Sequence, residues 1–385
     1  MVPGASASTT RRGLLAGGAA ALAGGATALA GCLGSPVASG GRCDSPSPGD
    51  GTADATVGFV GDLMLGRNVD AARADDPPAA VWGSVHDRLR SLDGVVANLE
   101  GCLSTRGERT PGRGYYFRAD PAWAVPALRA GNVACCALAN NHLLDFGPAA
   151  LRDTLAALDD GGIAAAGAGT DLAAARAPTV FDVGGVRIGL LSLTDQAPAY
   201  AAGPSTPGVA VAPLDSRLLD TRWFVRTALG RLREADPDLV VASLHWGPNW
   251  VALPHVGYRR FARYLIEEGV DVVHGHSAHV VQGVEAYRGG LVLHDCGDFV
   301  DDYVVKSGLR NDRSFLFEVT VADGRPSRVR LVPVVIRDRA VRRADAEAAA
   351  WLRRTMRERS RPFDTPFERA GDGLAVTVDC WRDGR

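Results

Sequence analysis

The chain has 385 residues, 46% of them hydrophobic and 22% charged, which excludes a disordered or collagen-like chain and allows a sizeable core. A formal net charge of −2 gives no global basic field for a nucleic acid. At roughly 100–200 residues per domain, the length fits one large domain or two ordinary ones.

The N-terminus reads as an address. Arg11-Arg12 precede an uncharged run, Gly13 to Gly31, that ends in Leu29-Ala30-Gly31-Cys32. A positive region, an apolar region and a small-residue site describe an export signal. The paired arginines resemble a twin-arginine signal. Leu-Ala-Gly-Cys resembles a bacterial lipobox, in which Cys32 is lipidated and becomes the mature N-terminus. The alternatives are a plain cleaved signal with an incidental Cys and an uncleaved anchor, for which the Gly-rich segment is only just long enough. The expectation is an exported protein, lipid-anchored on the extracytoplasmic face of the cell membrane. Residues 33–54, rich in Gly, Ser, Pro and Asp, would be a flexible linker. No later stretch is long and apolar enough to span a bilayer. The expected division is 1–32 signal, 33–54 linker, 55–340 folded domain and 341–385 a helical extension.

From residue 55, short β-like runs alternate with helical stretches. Ala55–Val60 reads as a buried strand, Ala80–Leu92 as a helix, Gly94–Ala97 as a strand, Pro121–Ala130 as a helix and Val133–Leu138 as a strand. Pro148–Leu158 follows as a helix with Pro in its first turn, then the short strand Ile163–Ala166. Thr179–Val183 and Val186–Ser192 flank Gly184-Gly185 as a hairpin. Ser216–Glu234 and Tyr258–Glu267 read as helices, with strands at Leu239–Leu244 and Val270–His274. Two further hairpins close on Arg288-Gly289-Gly290 and on Asp323-Gly324, and an edge strand is expected near Leu374–Val378. The order predicts an α/β sandwich, with mixed sheets inside helices and ligands beyond the carboxyl ends of strands. Without a CxxC pair a structural zinc is not expected, and Cys135, Cys136 and Cys296 read as small buried hydrophobes.

Polar clusters stand directly after five predicted strands. They are Gly61-Asp62-Leu63-Met64, Asn98-Leu99-Glu100, Asn140-Asn141-His142 with Asp145, His245-Trp246-Gly247, and His274-Gly275-His276-Ser277-Ala278-His279. Five of the eight histidines lie in them, too many to dismiss as turns. Carboxylate, amide and imidazole without thiolate suit a divalent ion such as Mn, Fe, Zn or Mg.

The series Gly-Asp-x-Met-x-Gly, Asn-Leu-Glu, Asn-Asn-His-x-x-Asp-x-Gly, His-Trp-Gly and Gly-His-x-x-His-Val-x-Gln-Gly resembles the CapA family of capsule and poly-γ-glutamate biosynthesis proteins. Cys296-Gly297-Asp298-Phe299 also fits that group. The resemblance implies the fold of the calcineurin-like metallophosphoesterases, two mixed β-sheets flanked by helices. It implies metal ligation by Asp62, Asn141, His245, His276 and His279, and a leaving-group role for His142. The phosphoesterases carry Asp-x-His in the first motif, where this chain has Asp62-Leu63-Met64. A thioether is a poor ligand for a hard ion, so one or two ions are expected. Asn98 or Glu100 would take the bridging place, Glu100 preferred because only a carboxylate can neutralise and bridge two cations. Asp145 either orients His142 or caps the next helix. Arg67 and Arg118 are either clamps for substrate anions or solvated surface arginines. Tyr116, Trp246 and Trp250 either wall a groove or sit in the core. Two functions follow. One is a metal-dependent hydrolase or transferase acting on an anionic envelope polymer or a small ester, beside capsule-synthesis membrane proteins. The other is a non-catalytic protein that binds or anchors the polymer. No nucleic-acid partner is expected.

Overall fold

The structure is a computed structural model that describes residues 55–378. The stretches expected to be an export signal with Cys32 and a linker, together with Cys43 and Cys380, lie outside the described residues. In chain order the main strands and helices begin with β1 (Ala55–Leu63), β2 (Gly94–Leu99), α1 (Pro121–Ala130), β3 (Val133–Ala137), α2 (Gly147–Asp160) and β4 (Ala164–Ala166). There follow β5 (Thr179–Val183), β6 (Val186–Thr194), α3 (Leu219–Ala235), β7 (Leu239–His245), α4 (Val256–Glu267), β8 (Val272–His276), β9 (Val284–Tyr287) and β10 (Gly290–Leu293). The chain ends with β11 (Asp298–Val300), β12 (Arg313–Ala322), β13 (Arg325–Arg337), β14 (Ala340–Arg343), α5 (Ala346–Ser360), β15 (Glu368–Ala370) and β16 (Gly373–Thr377).

These strands form two mixed sheets. One has the order β15-β16-β13-β12-β1-β2-β3-β4, with β11 added on β1 and β14 on β13; the other runs β9-β10-β8-β7-β6-β5. Within the first, β1, β2, β3 and β4 are parallel, and within the second so are β6, β7, β8 and β10. Parallel strands covered on both faces read as continuous Val/Leu/Ala runs, which is the character of Leu239–Leu244 and Val133–Ala137. Phe59, Val96 and Cys135 of the first sheet share one buried cluster with Ile188, Val241 and Val272 of the second. The sheets therefore pack face to face, and their parallel strands present carboxyl ends to a common edge.

Helices cover the outer faces. Asp120 caps α1 through Ala122 N at 2.8 Å, with Pro121 in the first turn. The buried stripe of α3, with Phe224, Val225, Ala228 and Leu229, recurs at helical spacing. The expected helix Ala80–Leu92 is corrected. It is a 3-10 turn, Pro78–Val85, followed by a short helix, His86–Arg90, because Gly83 takes φ 41°. A Cβ there would meet Val341 O at 2.6 Å. After α5 the expected C-terminal extension returns to the first sheet. The edge strand predicted near Leu374–Val378 forms at Gly373–Thr377, one position inward, because β15 pairs outside it. Cys102, Cys135, Cys136 and Cys296 are buried free thiols. No helix among the described residues is long and apolar enough to cross a membrane.

Candidate metal centre

Strand pairing sets the first carboxylate. Asp62 lies opposite Asn98 on β2, at a register shift that follows Val60. Such bulges re-aim a side chain at a strand end. Asn98 Nδ2 donates to Asp62 Oδ1 at 2.7 Å, and Asn140 Nδ2 donates to Asn98 Oδ1 at 3.1 Å. Asn98 and Asn140 thus act as struts that orient Asp62, one strand and one loop away.

The second sheet supplies imidazoles. His245 and His276 end β7 and β8 in register, with their Nδ1 atoms 3.0 Å apart. Ser243 Oγ is 3.0 Å from His276 Nε2 and 3.0 Å from His274 Nδ1. His274 Nε2 is 2.8 Å from Val60 O. Both nitrogens of His274 are thereby occupied, and it is a structural histidine that ties β8 to β1. Beyond β8 the chain turns sharply: Ser277 and His279 have φ 111° and 56°, and the facing Trp250 has φ 66°. Strain of this kind costs about 1–3 kcal/mol per residue and persists only where the surroundings enforce it. Asp295 does so, accepting from Ala278 N at 2.7 Å and Gly297 N at 2.8 Å. Trp250 N adds a bond to Ala278 O at 2.8 Å.

Two ligand triads result, Asp62–His245–His276 and Asp62–Glu100–His279. In each, one donor atom per residue lies within 4.8 Å of the others. Asp62 belongs to both triads. Glu100 Oε1 also lies 3.8 Å from His245 Nε2 and 3.7 Å from His142 Nε2. All five side chains are buried. Both Glu100 oxygens and Asn141 Oδ1 are buried without a hydrogen-bond donor, a costly state that a cation relieves. Burial would raise the Asp62 carboxyl, yet the hydrogen bond and charge of His279, with His276 and His245 beyond, hold it well below the usual range. Burial and the Asp62 charge push Glu100 well above its usual value. Burial drives His245 down to about 3 and His276 far down as well, so both offer neutral nitrogens. Burial would lower His279, but the charges of Asp298 and Glu100 and its hydrogen bonds raise it well above normal. Orphaned oxygens, neutral imidazoles and the absence of thiolate fit a divalent ion bound through nitrogen and oxygen.

His142 stands beside the triads. Its Nδ1 is 2.7 Å from Asp145 Oδ2, and Asp145 also accepts from Phe117 N at 2.8 Å. Arg113 Nε lies 3.0 Å from Asp145 Oδ1. Of its two alternatives, Asp145 takes the orienting one. Phe146 occupies the N-cap of α2, and no side chain caps it. A cleft of about 420 Å³ opens over His142 and Asn141, walled by Trp250 and Tyr303 and bordered by Arg113 and Lys306. Lys306 Nζ lies 4.7 Å from the Trp250 ring centre. The Tyr303 ring packs 5.1 Å from His279.

The fold therefore gathers Asp62, Glu100, His142, Asp145, His245, His276 and His279, with Asn141 on the cleft floor. It does not bring Arg67 or Arg118 to the cleft wall. Arg67 pairs with Asp302 at 3.3 Å and lies over Tyr115. Arg118 lies 4.0 Å over Phe146 and donates to Arg106 O. The arginine at the site is Arg113, which carried no motif in a chain of many arginines. Trp250 walls the cleft; Trp246 is core, donating to His294 O at 2.9 Å, and Tyr116 donates to Thr110 O at 2.8 Å. Sequence reasoning also missed Tyr303 and Lys306. For Lys306 one signal existed: it is the only lysine in the chain.

Residues 56–303 match the family model for the bacterial capsule synthesis protein PGA_cap. A "Probable polyglutamine synthesis accessory protein" of Mycobacterium tuberculosis is 36% identical over 320 residues, covering 77% of this chain and 80% of its own. The "PGA biosynthesis protein CapA" of Bacillus subtilis is 27% identical over 296 residues, covering 74% of this chain and 75% of its own. The "Capsule biosynthesis protein CapA" of Bacillus anthracis is 26% identical over 293 residues, covering 74% and 68%. The matched span takes in all the strand ends that carry the two triads, and this chain belongs to the PGA_cap family of bacterial capsule synthesis proteins.

Proposed function

We propose that this chain is a metal-dependent hydrolase or transferase of capsule or poly-γ-glutamate synthesis, exported and lipid-anchored through Cys32, that acts on an anionic envelope polymer or a phosphoester. The observation that carries the reading is the pair of triads sharing Asp62 beneath a cleft that His142 lines. The names of the relatives support the capsule setting. The Arg11-Arg12 and Leu29–Cys32 patterns support export and the anchor, and that address would set the chain beside the membrane proteins of capsule synthesis.

Asp62, Glu100, Asn141, His245, His276 and His279 would hold the ion. When bound, a divalent ion polarises the oxygen of the bond to be cut and acidifies water. The remaining work falls to the chain. Asp145 accepts from His142 Nδ1 and fixes the ring so that Nε2 faces Glu100. Burial lowers His142 and the Asp145 carboxylate works against that, so the form that can pass a proton from Nε2 to a leaving oxygen is the protonated ring, which Asp145 stabilises. Arg113 and Lys306 bring positive charge to the cleft, suited to an anionic substrate. Trp250 and Tyr303 narrow it against water.

The test compares the full-length protein with His142→Ala, both loaded with Mn²⁺, on a chromogenic phosphodiester and on a γ-glutamyl polymer. A drop of about 10²–10⁴-fold on one substrate is expected for the variant. Equal background rates for both proteins on both substrates would sink the enzyme reading and leave a polymer-binding or anchoring role.

A further inference from the structure

The first motif lacks a nitrogen donor at Met64, and the structure sets another carboxylate beside Asp62. β11 runs parallel to β1, with Asp298 directly opposite Asp62. Asp62 N donates to Gly297 O at 3.0 Å. Asp298 is 1% exposed, and its Oδ2 has no hydrogen-bond donor. Its Oδ1 lies 2.8 Å from His279 Nδ1, and the same nitrogen lies 3.2 Å from Asp62 Oδ2. One hydrogen on Nδ1 cannot serve both carboxylates well. Adjacent donors on an ion with bonds of about 2.0–2.2 Å sit about 3 Å apart when they subtend a right angle. The two separations match two edges of such a polyhedron. Among the described residues no arginine or lysine forms an ion pair with Asp62, Glu100 or Asp298. The positive charge that Asp62 and Asp298 share is that of a protonated His279, which a divalent ion would replace. Asp295 steadies both sides, gripping the amides next to His279 and Asp298.

We propose that Asp298 is a ligand of the ion held by Asp62, Glu100 and His279. The inference rests on the metal reading of the site, and the experiment separates the two. Full-length wild type and Asp298→Asn are stripped with chelator and titrated with Mn²⁺ by calorimetry, with bound metal counted by elemental analysis. Asn keeps an acceptor for His279 but removes the charge. The variant should bind one ion fewer than wild type, or bind that ion at least tenfold more weakly, while an ion at Asp62–His245–His276 keeps its affinity. Unchanged stoichiometry and affinity, or loss of two ions together, overturns the assignment of Asp298 and leaves the metal centre standing. Wild type that takes up no Mn²⁺ overturns both. Should the variant fail to fold, anomalous diffraction from Mn²⁺-loaded wild type decides the matter. An ion within about 2.5 Å of an Asp298 oxygen supports the proposal, and an ion beyond bonding distance ends it.

Discussion

His142 and Asp145 mark how far single residues can be read. That a histidine after β3 belongs to the site follows from Asn-Asn-His standing at a strand end. Which task Asp145 takes depends on where the chain turns into α2, and no propensity decides that. The turn places Phe146 at the cap and leaves the carboxylate to His142, Phe117 N and Arg113. Asp145→Asn removes the charge that steadies a protonated His142. Turnover on whichever substrate proves active should fall by about 10²-fold with little change in KM. Steady-state kinetics checks it, and a rise in KM alone would make Asp145 a binding residue. Arg118 shows the opposite failure. Its place in an aromatic run pointed to a groove, but Phe146 takes its guanidinium face and backbone carbonyls take its hydrogens. Arg113 sits between two glycines with nothing local to mark it.

At the level of strands, alternation and turn residues made most of the elements legible, including α1 at both ends and the hairpin at Gly184-Gly185. The pairing of the three-residue β11 with β1 was not legible, because so short a run has no period to count. That pairing depends on Gly61. A Cβ at residue 61 would lie 1.6 Å from Gly297 O and 2.8 Å from its carbonyl carbon. Backbone cannot yield as a side-chain tip can, so Gly61→Ala should force β1 and β11 apart where Asp62 and Asp298 face each other. Overpacking typically costs about 1–3 kcal/mol, and here the upper end or more is expected. Urea unfolding measures the loss, and Mn²⁺ titration of the folded variant should show weakened binding. A variant with wild-type stability and wild-type affinity would mean that the two strand ends are free to separate.

Across the whole molecule, buried titratable groups tie folding, metal and pH together. Burial and the charge of Asp62 raise Glu100, so the folded metal-free chain holds a proton that the unfolded chain has already lost. That contribution to stability is present at low pH and is lost as pH rises through the folded-state value. Burial lowers His245 to about 3 and His274 to about 4. Between 6.5 and those values the unfolded chain binds protons that the folded chain refuses, so stability also falls as pH drops through that window. The two slopes confine the metal-free protein to a maximum between them. A divalent ion bound there would displace the protons on Glu100 and His279 and meet nitrogens on His245 and His276 that are already neutral. Its affinity must therefore grow as pH rises. Free ion at 100 times Kd adds about 2.7 kcal/mol, enough to move Tm by several degrees. Thermal melts with Mn²⁺ and with chelator should differ by that much at pH 7.5 and by clearly less at pH 5. Calorimetry in buffers of different ionisation enthalpy should register proton release on binding. A shift of equal size at both pH values, with no proton released, would place the ion away from Glu100 and His279.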